Sequence, residues 1–271
     1  MVPEFETLLV SIEGKVAHIQ INRPDKANSM NPAFWEDIGN AFIWVDETDE
    51  VRAAVLSGIG KHFCAGLDLG LFAEAMDGET GCEGRKREEM RKGILRLQDR
   101  LSLIERCQKP VLAAVHGGCI GGGIDMISAC DMRYSGGDVY FTIKEIDIGM
   151  TADVGTLQRL PHLIGDGIMR ELAYTGRNVD GAEAQAIGLV NRHYETKEQM
   201  MNAVFTIARD IASKSPLGIR GTKEMILYTR DHSVMDGLNY IATWNAAMLV
   251  SDDIKEAMTA KIEKRPPVFK D

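Results

Sequence analysis

The sequence predicts an α/β core over residues 1–195, followed by a helical region over residues 196–271. Two observations predict this fold class. In the first part, short apolar or alternating runs are each followed by an amphipathic stretch, as in a largely parallel sheet whose strands are joined by helices. In the second part, nearly every stretch from residue 197 to residue 264 has helical periodicity, with a break at Ser215-Pro216.

The first elements alternate between strand and helix. Residues 16–24, "VAHIQINRP", alternate apolar and polar side chains and so predict a strand with one buried face. Asn31 and Pro32 are typical of an N-cap and a first helical turn, and the amphipathic run "AFWEDIGNAFIWVDE" follows them. Residues 51–58, "VRAAVLSG", predict a short buried strand that ends at glycine.

A stretch rich in glycine and acids, residues 69–84, comes next, and we expect it to be mobile. A helix with an apolar stripe is predicted over residues 86–107. Four later runs predict strands: "KPVLAAVHGG", "MRYSG", "VYFTIK" and "LVNRHY". Three others predict helices: "CIGGGIDMISACD" after its opening turn, "GTLQRLPHLIG" and "GAEAQAIG".

Composition and chain ends exclude several classes of protein. The 31 basic and 40 acidic residues give a net charge of −9, which argues against general nucleic-acid binding. No apolar run is long enough to span a membrane, and the N-terminus does not have the pattern of a secretory leader. The five cysteines are odd in number and include no C-x-x-C pair, so we expect reduced thiols and a cytoplasmic protein.

Two glycine-containing clusters could carry chemistry. In "KHFCAGLDL", Gly66 permits a backbone path that could aim the N–H groups of Ala65 or Leu67 into a cleft, although a simple turn would also explain it. In "HGGCIGGGIDM", three consecutive glycines before a helix leave N–H groups uncovered for an anion or an oxyanion. Asp125 lies in the first turn of that helix, where a capping acid is the alternative.

The third cluster is a group of acids in an apolar stretch, "KEIDIGMTADVG". Ionised carboxylates are rarely buried without a partner, so Glu145, Asp147 and Asp153 are either solvated or held in a pocket. Glu145 directly follows a predicted strand and could face a cleft. Asp153 precedes a predicted helix, for which it could instead be the N-cap. Asp147 is predicted to be a structural or surface acid.

Together these clusters resemble the crotonase superfamily, the enoyl-CoA hydratase/isomerase group. The resemblance extends over essentially the full length, through "INRPDKANSMN", "HFCAGLDL", "PVLAAVHGGCIGGGIDMISACDMRY", "EIDIGM", "LQRLPHLIG", "GAEAQAIGLVN" and "EKRPPVF". It implies a spiral core of ββα units and a C-terminal helical trimerisation region, assembled as a homotrimer or a homohexamer (a dimer of trimers). It also implies an acyl-CoA substrate, with no metal and no cofactor besides the coenzyme A of the substrate.

The resemblance implies site residues as well. The thioester oxygen would lie between the backbone N–H groups of Ala65 and Gly122. Lys26 belongs to a loop near the nucleotide end of coenzyme A, and residues 69–93 would form part of the acyl pocket. The full set of implied substrate contacts is Lys26, Ala27, Ala65, Gly66, Leu67, Asp68, Leu69, Gly118, Gly121 and Gly122. Whether Lys261 reaches the substrate of a neighbouring subunit stays open.

The acids indicate the branch of the family. Hydratases usually carry two glutamates at the positions of Asp125 and Glu145 and commonly Gly at the position of Asp153. The trio instead resembles the Δ3,5-Δ2,4-dienoyl-CoA isomerases, which convert 3,5-dienoyl-CoA to 2,4-dienoyl-CoA in β-oxidation of unsaturated fatty acids. Glu145 would take a proton from C2, Asp153 would give one to C6, and Asp125 would orient or tune the pair. The alternative is an enoyl-CoA hydratase in which Asp125 and Glu145 activate water.

Overall fold

A six-stranded sheet forms the centre of the molecule in the computed structural model, which describes residues 2–68 and 81–270. The strand order is β1 (Leu8–Glu13), β2 (Val16–Ile21), β3 (Ala53–Gly58), β4 (Val111–Val115), β6 (Met132–Gly136) and β9 (Arg192–Tyr194). The β1–β2 pair is antiparallel and every other neighbouring pair is parallel. The parallel part confirms the expectation from the repeated strand–helix pairs, whereas the β1–β2 hairpin was not predicted.

A second sheet contains three short strands, β5 (Gly118–Ile120), β7 (Tyr140–Thr142) and β8 (Val179–Asp180). The β5 strand occupies the start of the glycine-rich stretch, which the sequence alone predicted to be a turn. Parallel pairing of β5 with β7 brings this stretch beside the strand that precedes Glu145.

Ten α-helices lie within the described residues, together with 3₁₀ turns at Pro24–Lys26, Glu145–Ile148 and Leu160–His162. The first five helices are α1 (Pro32–Glu47), α2 (Glu83–Arg106), α3 (Gly122–Ser128), α4 (Thr156–Arg159) and α5 (Asp166–Thr175). The rest are α6 (Gly181–Ala186), α7 (Lys197–Ala212), α8 (Pro216–Asp231), α9 (Val234–Met248) and α10 (Asp252–Glu263). The predicted N-cap of α1 is confirmed, since the Asn31 side chain accepts a 2.9 Å hydrogen bond from the Phe34 amide.

The main sheet is buried on both faces, as parallel sheets are. Along β3, Ala54 and Leu56 pack into the larger core, which α1 and α2 cover. Ala53 and Val55 point to the opposite face, where α7 packs against them. Because α7 belongs to the helical region and still packs on the sheet, that region is attached to the core. The division at residue 195 stays a prediction.

The ends of β3 and β4 determine where the site lies. The segment after β3 contains Gly66, and the chain after β4 enters β5 and then α3 with its glycines. In parallel sheets the carboxyl ends of neighbouring strands meet at one edge, where ligands bind. Residues 69–80, which include Leu69 and most of the stretch predicted to be mobile, lie outside the described residues.

The helices α8 to α10 expose many apolar side chains. Val234 is 70% exposed, Met235 73% and Ile262 82%, and among the residues of α9 only Gly237 is buried. No helix between residues 2 and 68 or between 81 and 270 has both the length and the apolar composition needed to cross a bilayer.

Candidate active site

Two loops run side by side at the carboxyl edge of the sheet. The Ala65 amide donates a 3.1 Å hydrogen bond to the Ala27 carbonyl, and the Met30 amide donates a 2.8 Å bond to the Gly66 carbonyl. The Asp68 amide in turn donates a 3.1 Å bond to the Met30 carbonyl. These bonds bring together the two predicted contact segments, residues 26–27 and 65–68.

Gly66 approaches the start of α3 closely. Its φ is +85°, and a Cβ at this position would lie 2.9 Å from the Ile120 carbonyl oxygen and 3.6 Å from the Gly122 nitrogen. Only glycine tolerates both the backbone conformation and the contact. The sequence prediction of an unusual backbone path at Gly66 is therefore confirmed.

The amides at this junction differ in availability. The Ala65 N–H is taken by the Ala27 carbonyl, so the inference that it stabilises a substrate oxygen needs correction. The Ala27 carbonyl that accepts this bond is 38 residues away in the sequence, so the contact exists only in the folded chain. Two residues later, the Leu67 N–H has no acceptor among the described residues, and neither has the Gly122 N–H at the first position of α3. In these segments, Leu67 and Gly122 therefore have amides available for a ligand.

Other predicted contacts have structural partners. The Gly118 amide donates to Nδ1 of His62 at 2.9 Å, and the Gly121 amide donates to the Thr142 carbonyl at 2.9 Å. The Asp68 carboxylate forms an ion pair with Arg23, with Nη2 and Oδ2 3.5 Å apart. The roles implied for Gly118, Gly121 and Asp68 therefore do not involve free amides or a free carboxylate.

Lys26 and Lys261 are both exposed. Lys26 ends the 3₁₀ turn Pro24–Lys26, directly before the Ala27 carbonyl that binds Ala65. This places a cationic side chain next to the paired loops, and its contact with coenzyme A stays a prediction.

Asp125 is fully buried at 0% exposure in α3. Its Oδ1 accepts a 2.6 Å hydrogen bond from the Thr156 amide, so it holds a distant segment and does not cap its own helix. Its Oδ2 is buried and has no hydrogen-bond partner among the described residues. Burial raises the pKa of Asp125 to about 7, the charges of Glu145 and Asp153 add to the rise, and the hydrogen bonds with Thr156 oppose it.

Glu145 begins the 3₁₀ turn after β7. Its Oε1 lies 3.1 Å from the place where Gly121 would carry a Cβ, so the carboxylate reaches the glycine-rich start of α3. Its Oε2 is buried and unpaired within the described residues. Burial raises the pKa of Glu145, and the charge of Asp153 raises it further.

Asp153 is half-buried between the 3₁₀ turn and α4. The N-cap of α4 is Gly155, so the alternative in which Asp153 caps this helix is wrong. Burial raises the pKa of Asp153. The structure thus brings together the three acids that the sequence singled out, close enough for their charges to act on one another. Asp147, in contrast, is exposed and pairs with Lys144 at 2.6 Å, as predicted.

Sequence reasoning missed two groups that touch these acids. One is the Thr156 amide, a backbone donor that no side-chain pattern reveals. The other is Gln98, whose Nε2 donates a 2.6 Å hydrogen bond to the Asp153 carbonyl. Gln98 lies beside the apolar stripe of α2, and a half-buried polar residue next to such a stripe was an available signal.

The arrangement suits proton transfer next to a carbonyl group. Two available amides and the opening of a helix would stabilise negative charge on an oxygen. Nearby, three carboxyl groups have raised pKa values, that of Asp125 to about 7, and could hold or accept protons.

Known proteins with similar sequences include enzymes of this kind. The chain is 44% identical over 266 residues to the Delta(3,5)-Delta(2,4)-dienoyl-CoA isomerase, peroxisomal, of Arabidopsis thaliana, which covers 97% of this chain and 96% of the relative. It is 46% identical over 264 residues to the mitochondrial Delta(3,5)-Delta(2,4)-dienoyl-CoA isomerase of Rattus norvegicus, covering 96% of this chain and 81% of the relative.

These names correct the prediction of a cytoplasmic location, which is wrong: the relatives are named peroxisomal or mitochondrial. The prediction relied on reduced thiols and on the absence of a secretory pattern. Thiols report a reducing environment, which more than one compartment provides. Organelle addresses are read by receptors and leave no trace in composition.

The fold is also that of known structures. A crystal structure of an enoyl-CoA hydratase from Bacillus anthracis matches with a TM-score of 0.88 and 30% identity, covering 98% of this chain and 99% of the other. This match confirms the predicted fold class, a crotonase-type spiral followed by C-terminal helices. The family model for enoyl-CoA hydratase/isomerase matches residues 11–271. The chain therefore belongs to the enoyl-CoA hydratase/isomerase family.

Proposed function

We propose that this protein converts 3,5-dienoyl-CoA to 2,4-dienoyl-CoA in the β-oxidation of unsaturated fatty acids. The observation that carries the proposal is Asp153, which lies within electrostatic reach of both Asp125 and Glu145. Isomerisation needs such an additional acid, because one proton is removed from C2 and another must be added at C6. The identity of 44–46% to relatives named dienoyl-CoA isomerase, against 30% to the hydratase structure, supports the same function.

The thioester oxygen would be held by the amides of Leu67 and Gly122. Removing a proton from C2 turns the thioester into a dienolate, and negative charge gathers on this oxygen. Donors that are already in place stabilise that charge, and losing one such donor costs about 3 kcal/mol. Gly66 approaches Gly122 closely, and this places the amides of Leu67 and Gly122 near each other.

Glu145 would be the base that removes the C2 proton. Its carboxylate lies against Gly121, next to the amide of Gly122 that would hold the oxygen. Burial raises its pKa, which makes it a stronger base than a solvated glutamate. The electrons of the broken C2–H bond delocalise from C2 through C4 to C6 of the dienolate.

Asp153 would be the acid that protonates C6. Burial raises its pKa and so favours the protonated form that this step requires. As the C6–H bond forms, the double bonds come to lie at C2 and C4. Glu145 then carries one proton more and Asp153 one fewer than at the start, and exchange with solvent restores both. The proton transfers need no cofactor besides the coenzyme A of the substrate.

Asp125 would act through its neighbours. Its hydrogen bond to the Thr156 amide fixes the chain three residues beyond Asp153. The charges of Glu145 and Asp153 in turn raise the pKa of Asp125 by repulsion, so its protonation depends on the other two acids.

An enoyl-CoA hydratase is the second candidate, and one observation favours it. Oδ2 of Asp125 and Oε2 of Glu145 are both buried without a partner among the described residues. A water molecule held between two such oxygens could add to a 2-enoyl-CoA.

Two assays on the purified protein separate the candidates. A medium-chain 3,5-dienoyl-CoA is followed by the ultraviolet absorbance of the conjugated 2,4-dienoyl thioester, and a 2-enoyl-CoA by loss of its enoyl band. Fast formation of the conjugated diene with slow hydration is the expected result. Hydration without isomerisation would replace the isomerase with the hydratase.

We further propose a homotrimer or a dimer of trimers, with the subunits associating through α8 to α10. The exposed apolar side chains of these helices, such as Val234, Met235 and Ile262, support it, because monomers seldom expose so much apolar surface. Light scattering coupled to size-exclusion chromatography measures the mass. A monomer at micromolar concentration would contradict the proposal.

A further inference from the structure

A stripe of polar side chains on α2 faces the segment that carries Asp153. Gln98, Ser102 and Glu105 follow one another at spacings of four and three residues, so they lie on one face of the helix. All three are half-buried. Each of them has a partner in residues 153–159, and Glu105 has another at the end of α8.

The stretch around Asp153 has little backbone support of its own. Among the described parts of the chain, residues 151–154 take part in no backbone-to-backbone hydrogen bond. Their placement depends on the burial of Ala152 and Val154 in the core and on side chains that reach them. One of these is Gln98, whose Nε2 donates a 2.6 Å hydrogen bond to the Asp153 carbonyl.

The end of this segment, at Arg159, is also bound to α2. Nη2 of Arg159 donates a 2.9 Å hydrogen bond to Oγ of Ser102, and its Nε lies 3.3 Å from Oε1 of Glu105. Arg230 of α8 binds the same carboxylate. Residues 156–159 are therefore held at several points, whereas at position 153 the backbone carbonyl has one hydrogen bond from α2.

We propose that Gln98 is a positioning residue for the isomerisation, which holds Asp153 at the distance from C6 that proton transfer requires. The inference rests on the proposed function. Gln98 donates a hydrogen bond to the backbone of the acid, and within the described residues it forms no hydrogen bond with Glu145. It therefore acts on the second proton transfer, to C6, and leaves the first one, from C2, intact.

Its substitution should separate the two steps. Gln98→Met keeps the length and bulk of the side chain and removes the N–H donor. A displacement of about 1 Å at a reacting group costs roughly a hundredfold in rate. We expect kcat to fall by about 10- to 100-fold with KM changed by less than about threefold, since the thioester is bound by other groups. Gln158→Met is the matched control, because Gln158 is exposed on the same segment, and it should match wild type.

Exchange in deuterated water shows which step is affected. Removal and return of the C2 proton by Glu145 places deuterium at C2 of unconverted 3,5-dienoyl-CoA. In Gln98→Met the ratio of C2 exchange to product formation should rise, as in Asp153→Asn. Combining Gln98→Met with Asp153→Asn should add little to the effect of Asp153→Asn alone.

Equal losses of exchange and of product formation would overturn the role of Gln98, because general damage slows both steps together. Unchanged kcat would overturn it as well. Should Gln98→Met not fold, Gln98→Leu also lacks the donor and carries no charge, and the same results are expected of it. If wild type forms no conjugated diene, the proposed function itself fails, and this outcome is distinct from a failure of Gln98.

Discussion

The Thr156 amide donates a 2.6 Å hydrogen bond to Oδ1 of Asp125, across the gap between α3 and α4. This bond joins the helix that opens with the amide of Gly122, proposed to hold the thioester oxygen, to the segment that carries Asp153. It also fixes one oxygen of a carboxyl group that has no exposed surface. A single buried acid thus links the two halves of the proposed reaction.

The burial of Asp125 predicts a pH-dependent stability. Burial raises its folded-state pKa to about 7 from an ordinary value of 3.8, so between these values the folded protein binds more protons than the unfolded chain. The free energy of unfolding therefore falls as the pH rises through this range. Asn does not ionise, so the free energy of unfolding of Asp125→Asn does not fall in this way. The Asn side chain also keeps an oxygen that can accept the hydrogen bond from the Thr156 amide. Relative to wild type the variant should gain stability from pH 4 to pH 8, by at most about 4 kcal/mol.

Urea unfolding at several pH values and one fixed protein concentration measures this difference. Asp147→Asn is the control for the same change of residue type at an exposed position. A gap between Asp125→Asn and wild type that is constant with pH would contradict the raised pKa.

Asp153→Asn should abolish the proton delivery to C6. We expect kcat for 3,5-dienoyl-CoA to fall by about 10²- to 10⁴-fold, the usual contribution of a general acid. Deuterium exchange at C2 should persist, since Glu145 is unchanged. Asp147→Asn, which removes an exposed acid of the same stretch, should retain at least half of the activity. Near-wild-type isomerisation by Asp153→Asn would remove this residue from the mechanism.

The rate should depend on pH in both directions. Glu145 must be ionised to act as base, so kcat/KM falls on the acidic side, and because burial raises the pKa of Glu145 this limb lies above its ordinary 4.5. Asp153 must be protonated, so kcat/KM also falls as the pH rises through the raised pKa of Asp153. The pH profile of the residual activity in Asp153→Asn should lack the alkaline limb. An unchanged alkaline limb in that variant would assign it to another group.

Local patterns were enough to predict much of the fold. Asn31 and Pro32 mark the start of α1 because an N-cap and a first-turn proline act within one turn of the helix. Ser215 and Pro216 mark the start of α8 in the same way. The buried strands β3 and β4 follow from their apolar runs. The antiparallel β1 was missed, since half of its side chains are exposed and its alternation extends over only six residues.

The sequence predicted the side chains of the site but not which backbone amides are available in it. Glu145 and Asp153 stood out as acids in an apolar stretch and Asp125 as an acid after the three glycines, and the resemblance to the family joined the three. The choice of Ala65 over Leu67 failed because the Ala27 carbonyl, which takes the Ala65 amide, arrives through tertiary folding. Amides look alike in a sequence, and a positive φ at Gly66 reverses the direction in which the next one points.

Gly66 gives the sharpest test of that backbone path. In Gly66→Ala the new Cβ would lie 2.9 Å from the Ile120 carbonyl oxygen, so the loop must move away from Gly122. We expect kcat/KM to fall by about 10²- to 10³-fold, as when one oxyanion donor is lost. Gly14→Ala is the control for strain alone: its φ is +67° and nothing lies within 4 Å of the new Cβ. It should lose about 1 kcal/mol of stability and no activity. Full activity in Gly66→Ala would show that the amide of Leu67 does not hold the thioester oxygen, because that amide cannot stay in place when the loop moves.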